Sequence, residues 1–162
     1  MDGTVGELLD LTLRAEREAL KFYEELARRF AHVPRVTSFW QEMAEDEREH
    51  IRLVELAASG LTPEQLAEPA DPRMLHMARN AILFSAQAAL DRIQNLNDAY
   101  EAASELEYGE VNVVFQFIVL HYLDDKIREQ LAEHYAERHL RRLRLLGSIG
   151  GLEYRENIPA QE

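Results

Sequence analysis

The sequence predicts an all-α fold, a four-helix bundle of two antiparallel helix hairpins joined by a crossover. Three observations predict it. Long stretches are rich in Ala, Leu, Glu and Arg, residues that enter a helix at little cost. The 7 Gly and 5 Pro fall almost entirely between those stretches. The connections they mark run short, long, short, which suits an up-down pair, a crossover and a second up-down pair.

The first helix is expected from about Thr4 to Phe30 and the second from about Pro34 to Ala58. His32-Val33-Pro34 leaves only a short turn between them, so the two lie antiparallel. Ser59-Gly60 closes the second. Thr62-Pro63-Glu64-Gln65 has the form of a capping box with Pro at the first helical position, which predicts a short helical turn in the crossover. Asp71-Pro72 repeats the start signal, and a third helix is expected from there to about Glu107. Gly109 marks a break, and the fourth helix is expected to reach about Leu146, ended by Gly147, Gly150 and Gly151. Arg138, Arg141, Arg142 and Arg144 then sit in its last turns, where cations meet the negative helix end. The bundle occupies 1–147, and 148–162 reads as a loosely held tail.

Composition narrows the function. At 162 residues the chain is one domain, long enough to bury a core without staples. Acids outnumber bases 30 to 18, a formal charge of −12. That argues against nucleic acid, whose phosphates want a basic face. Cysteine is absent, which excludes disulfides, thiolate catalysis and iron–sulfur clusters. No apolar run reaches the ~18 residues of a membrane span. The acidic start MDGTVGELLD lacks the basic and apolar parts of a signal peptide, so the expected location is the cytoplasm.

The core-facing stripes carry the chemistry. Stepping by three and four along the first helix gives Leu9, Leu13, Glu16, Leu20, Tyr23, Ala27 and Phe30. Along the second it gives Val36, Trp40, Met43, Glu47, His50, Val54 and Ala57. Glu16, Glu47 and His50 interrupt stripes that are otherwise suited to a core. A buried carboxylate must neutralise, pair or bind a cation. Two acids facing each other across a hairpin pair badly, and a divalent cation relieves both. Carboxylate with imidazole suits iron, manganese or zinc better than calcium or magnesium. The plainer alternative is a solvated acidic face, since Glu42, Glu45, Asp46 and Glu49 surround Glu47, with His50 an ordinary core histidine.

Ala15 to Ala27, AEREALKFYEELA, and Met43 to His50, MAEDEREH, resemble the first two helices of the rubrerythrin and ferritin-like diiron-carboxylate family. There a ligand Glu precedes a Tyr by seven residues, which matches Glu16 and Tyr23. A Glu-x-x-His pair on the second helix matches Glu47 and His50. The resemblance implies a ferritin-like four-helix bundle, iron as cofactor, and chemistry on ferrous iron, dioxygen or peroxide. It gives Tyr23 a possible catalytic part, bonding a ligand carboxylate or donating one electron, beside plain packing. Members with their own electron donor carry a cysteine-ligated iron domain. This chain has no Cys, so a separate donor is implied.

The second half departs from that pattern. An offset of 77 residues sets Tyr100 on Tyr23, but Ile93 on Glu16 and Ile127 on His50. The third-helix stripe Ile82, Ala86, Ala89, Ile93, Leu96, Tyr100, Ala103 carries no carboxylate. The fourth, Val113, Phe117, Leu120, Asp124, Ile127, Leu131, carries only Asp124, with His121 one turn earlier. These two are either a reversed ligand pair or a hydrogen-bonded couple capping a cavity. Three readings stay open. One ion is held by Glu16, Glu47 and His50 with Asp124 or His121; two half-sites meet across a dimer; or the fold is kept as a non-catalytic metal-binding or structural adaptor.

VNVVFQFIVL, from Val111 to Leu120, is apolar nearly all round, as expected of a helix buried on more than one side. The third and fourth helices are expected to outrun the first two by about ten residues, an overhang of roughly 15 Å. An overhanging apolar hairpin predicts a homodimer through 111–120.

Overall fold

The computed structural model describes residues 3–131, 137, 138, 141, 144 and 158–162. Two long helices, α1 (Val5–Arg29) and α2 (Pro34–Ser59), form its spine. α1 starts where the Thr4 hydroxyl accepts the Glu7 N–H, satisfying one of the free donors of a helix start. α2 starts on Pro34, whose missing N–H is no loss at the first helical position. The Thr37 hydroxyl donates to the Phe30 carbonyl at 2.6 Å and ties the turn. The helices run antiparallel, and Arg17–Glu55 and Arg48–Glu24 ion pairs cross between them.

The crossover holds α3 (Pro63–Leu66) with both halves of its capping box: Thr62 Oγ1 accepts from the Gln65 N–H, and Gln65 Oε1 from the Thr62 N–H. Val5 N–H donates to the Glu68 carbonyl and Ala70 N–H to the Gly3 carbonyl, both at 2.9 Å, so the crossover is stitched to the head of α1.

The expected continuous third helix is three pieces: α4 (Pro72–Ala81), α5 (Ala86–Leu90) and α6 (Leu96–Glu107). Ser85 and Asn95 restart the chain as N-caps, accepting from the N–H groups of Ala88 and Asp98. Short polar side chains of this kind compete with the helix's own hydrogen bonds. After Gly109 comes α7 (Glu110–Tyr122). A Cβ on Gly109 would stand 3.0 Å from the Glu105 carbonyl oxygen, so the tight α6–α7 turn has little room for a side chain. The expected fourth helix is also interrupted. Leu123 is extended, with ψ 147°, and Asp124 accepts from the Lys126 N–H to begin a further helical run over 125–131. Arg142 and the tail from 148 to 157 lie outside the described residues.

α1 and α2 have 25 and 26 residues, against 10, 12 and 13 in α4, α6 and α7. The overhang expected of the second hairpin is therefore absent among the described residues. The stripe expected on the fourth helix is out of phase as well. Val113, Leu120 and Asp124 are exposed, and the buried face is Val111, Asn112, Val114, Phe115 and Ile118. A run apolar on every side carries no periodicity to fix which face turns inward.

Two apolar clusters fill the interior. One gathers Phe22, Tyr23, Leu26, Phe30, Phe39, Trp40 and Met43 with α5 and α6. The other gathers Leu8, Leu9, Leu53, Val54 and Ala57 with α4 and α7. The end of the chain is held where a loose tail was expected. Ile158 is buried in the first cluster, its carbonyl accepts the Leu96 N–H at 2.9 Å, and Ala160 N–H donates to the Gln94 carbonyl. Among the described residues no helix is long and apolar enough to cross a membrane.

Candidate metal centre

Between the two apolar clusters lies a short polar belt of Thr12, Glu16, Glu47 and His50, each at most 3% exposed. Its position follows from the helical repeat. On α1, Glu16 stands between Leu9 of one cluster and Tyr23 of the other. On α2, Glu47 and His50 stand between Met43 and Val54. Residues three apart on a helix share a face, so both α2 side chains point at α1. Thr12 does not join them, because its hydroxyl donates back to the Leu8 carbonyl at 2.8 Å.

Glu16, Glu47 and His50 converge. His50 Nδ1 lies 3.1 Å from Glu47 Oε2 and 3.3 Å from Glu16 Oε2. One ligand atom from each lies within 4.8 Å of the others. Burial, opposed by His50 and helped by Glu16, pushes the Glu47 carboxyl up to about 7. Burial also works against charge on His50, yet the Glu47 and Glu16 carboxylates outweigh it and raise the imidazole to about 10. Two acids thus share one imidazolium in a dry interior.

The donor set fits a metal ion. Two ligand atoms bound to one ion at about 2.0–2.2 Å and at right angles are about 3 Å apart, close to the two separations at Nδ1. Glu16 Oε1 is buried with no hydrogen-bond partner among the described residues, a lone oxygen that a cation would satisfy.

His121 and Asp124 are not brought to this group. Both are exposed. His121 stacks on Phe117 and its Nδ1 faces the Phe117 carbonyl at 2.9 Å, and Asp124 caps the helical run after it. His121 lies on the exposed side of α7, and Asp124 follows the break at Leu123. His50 instead stacks on Phe115 of α7, ring centroids 4.0 Å apart and planes at 24°.

Tyr23 is fully buried and does bond a carboxylate, though neither Glu16 nor Glu47. Its hydroxyl donates to Glu107 Oε1 at 2.6 Å. The Asn112 amide donates to the Glu107 carbonyl at 2.6 Å and to Oε2 at 3.3 Å. Glu107 is the functional-looking residue that reading the sequence missed. A signal existed, since the stripe Leu96, Tyr100, Ala103 reaches Glu107 in one more step of four. Asn112 and Phe115 carried none, lying in the run with no legible phase.

The chain has no match among curated proteins or solved structures. It does match the rubrerythrin family over residues 7–144, a stretch that contains every residue of the centre just described. The chain belongs to the rubrerythrin family.

Proposed function

We propose that the protein binds iron at Glu16, Glu47 and His50 and performs redox chemistry there, oxidising ferrous iron or handling dioxygen or peroxide. The buried convergence of those three side chains between two apolar clusters carries the reading. Manganese and zinc suit the same donors. Glu16 and Glu47 supply anionic oxygens, and His50 supplies Nδ1, the ring atom that faces them. Iron held there would supply one-electron chemistry. Burial keeps bulk water out, and in the metal-free protein it raises the Glu47 carboxyl to about 7, so that an arriving ion displaces a proton there. Tyr23 is a one-electron donor whose phenolic proton already has an acceptor in Glu107. Electrons for a reductive step come from a donor outside these 162 residues, which hold no Cys.

A second reading, a non-catalytic metal holder, is favoured by the apolar face that α7 turns to the centre. Adding ferrous iron aerobically separates the two. Near-ultraviolet oxo-ferric absorbance supports the redox reading, and tight binding without absorbance supports the holder. Glu47→Ala is expected to lower metal content sharply, and unchanged content removes Glu47 from the site.

Self-association belongs to the proposal. Val113 and Leu120, 44% and 56% exposed, lie two turns apart on the open side of α7. The homodimer expected through 111–120 would cover them. Sedimentation at micromolar concentration tests this, and a clean 18.7 kDa monomer refutes it.

A further inference from the structure

We propose that Trp40 and Tyr23 form a one-electron relay, in which an oxidising equivalent that reaches the Trp40 indole passes to Tyr23 as the Tyr23 proton passes to Glu107. Its use in turnover rests on the redox reading above, whereas the relay itself is a property of the chain's own side chains.

The helical repeat builds the pair. Tyr23 lies seven residues after Glu16 on α1, and Trp40 seven residues before Glu47 on α2. Because the helices run antiparallel, both steps lead the same way along the hairpin. Seven residues make nearly two turns and about 10 Å of rise, so the two rings share one layer beyond the belt of acid and imidazole. They meet there, centroids 6.1 Å apart and planes 17° from parallel, and both are wholly buried. Phe22 stands edge-on to Tyr23 at 5.3 Å, and Phe39 edge-on to Trp40 at 4.7 Å. Phenyl gives up an electron far less readily than indole or phenol, so exchange across the stack is favoured over leakage into these neighbours.

The proton sets the direction. A phenol becomes strongly acidic when it loses an electron, so it loses one easily where a base takes its proton in the same event. The Tyr23 hydroxyl donates to Glu107 Oε1 at 2.6 Å, a short bond of the kind an O–H makes to a carboxylate. The Asn112 amide, donating to Oε2, steadies that carboxylate. In the step itself the indole radical cation gains one electron and becomes neutral indole. The Tyr23 O–H bond breaks, its proton bonds to Glu107 Oε1, and a neutral phenoxyl radical remains. A cation and an anion are thereby replaced by neutral groups, which a dry interior favours. In the redox reading the oxidant is peroxide, and two such one-electron withdrawals with two protons reduce one peroxide to two waters.

The test needs no metal. Trp40 is the one tryptophan of the chain, so light on the long-wavelength side of the tyrosine band ionises it selectively. The metal-free chain is flashed there with a soluble electron acceptor present, and transient absorption follows the radicals. The visible band of the indole radical is expected to decay as the sharp violet band of phenoxyl rises at the same rate, and more slowly in heavy water. Tyr23→Phe is expected to lose the phenoxyl band and leave a long-lived indole radical. Phenoxyl forming at the parent rate in this variant would overturn the proposal, as would decay of the parent's indole radical without phenoxyl. Glu107→Gln keeps an acceptor but removes the base, and is expected to slow the conversion. It serves if Tyr23→Phe does not fold, and an unchanged rate there would equally overturn the proposal. Failure in these flashes leaves the metal-binding reading standing, and failure to bind iron leaves the relay standing.

Discussion

The Tyr23 hydroxyl and the Glu107 carboxylate meet at 2.6 Å across 84 residues of chain, and both are buried. This bond fastens the end of α6 to the C-terminal part of α1. Tyr23→Phe keeps the ring and removes the donor. A buried acceptor left short of a partner costs about 1–3 kcal/mol. The urea midpoint is expected to fall accordingly, and an unchanged midpoint would show that the bond contributes nothing to stability.

Glu16→Leu has opposite effects on the two forms of the protein. Two carboxylates face one imidazole, and among the described residues Glu16 Oε1 has no hydrogen-bond partner. Exchanging Glu16 for an apolar side chain leaves a balanced Glu47–His50 pair. Replacing buried charge by apolar packing is often worth about 1–4 kcal/mol. The metal-free variant is therefore expected to melt higher than the parent in chelator, and to bind iron weakly. A lower melting temperature would mean that the carboxylate is well paired.

Stability of the metal-free protein should fall as pH rises. His50 is raised from 6.5 to about 10, so its contribution is complete below 6.5 and lost through 10. Glu47 is raised from 4.5 to about 7, so it favours the folded state fully below 4.5 and ceases to do so through 7. Both act in the same direction. Melting temperature measured in chelator should decline across the window from 4.5 to 10 for this reason. A rise over that window would contradict the buried triad.

Metal binding should release protons. Near neutrality His50 is protonated and Glu47 is divided between its two forms, whereas both bind an ion deprotonated. Calorimetric titration in buffers of different ionisation enthalpy is expected to show about one to two protons released per ion. No buffer dependence would place the ion elsewhere.

Ile158 tests the docked chain end. It is 9% exposed and packs in the cluster that holds Tyr23 and Trp40. Ile158→Ala is expected to cost about 2–4 kcal/mol, read from the denaturant midpoint. A negligible change would mean that the contact forms without stabilising the fold.

What could be read from the residues follows the strength of their periodicity. The bounds of α1 and α2 were legible to within a residue or two, although Leu13, Leu20 and Ala27 of the expected α1 stripe are only half-buried. Every residue of the expected α2 stripe is buried. The third and fourth helices were not, because Ser85, Asn95 and Asp124 interrupt segments whose composition still favours helix.

By itself, then, the sequence determined the α1–α2 hairpin and the three side chains on its inner face, since helical spacing alone brings Glu47 and His50 level and a short turn sets Glu16 opposite. Only the tertiary structure decided what faces them. Whether Phe115, Glu107 or His121 turns inward depends on where distant helices break and how they pack, and a run that is apolar on all sides carries no record of that choice.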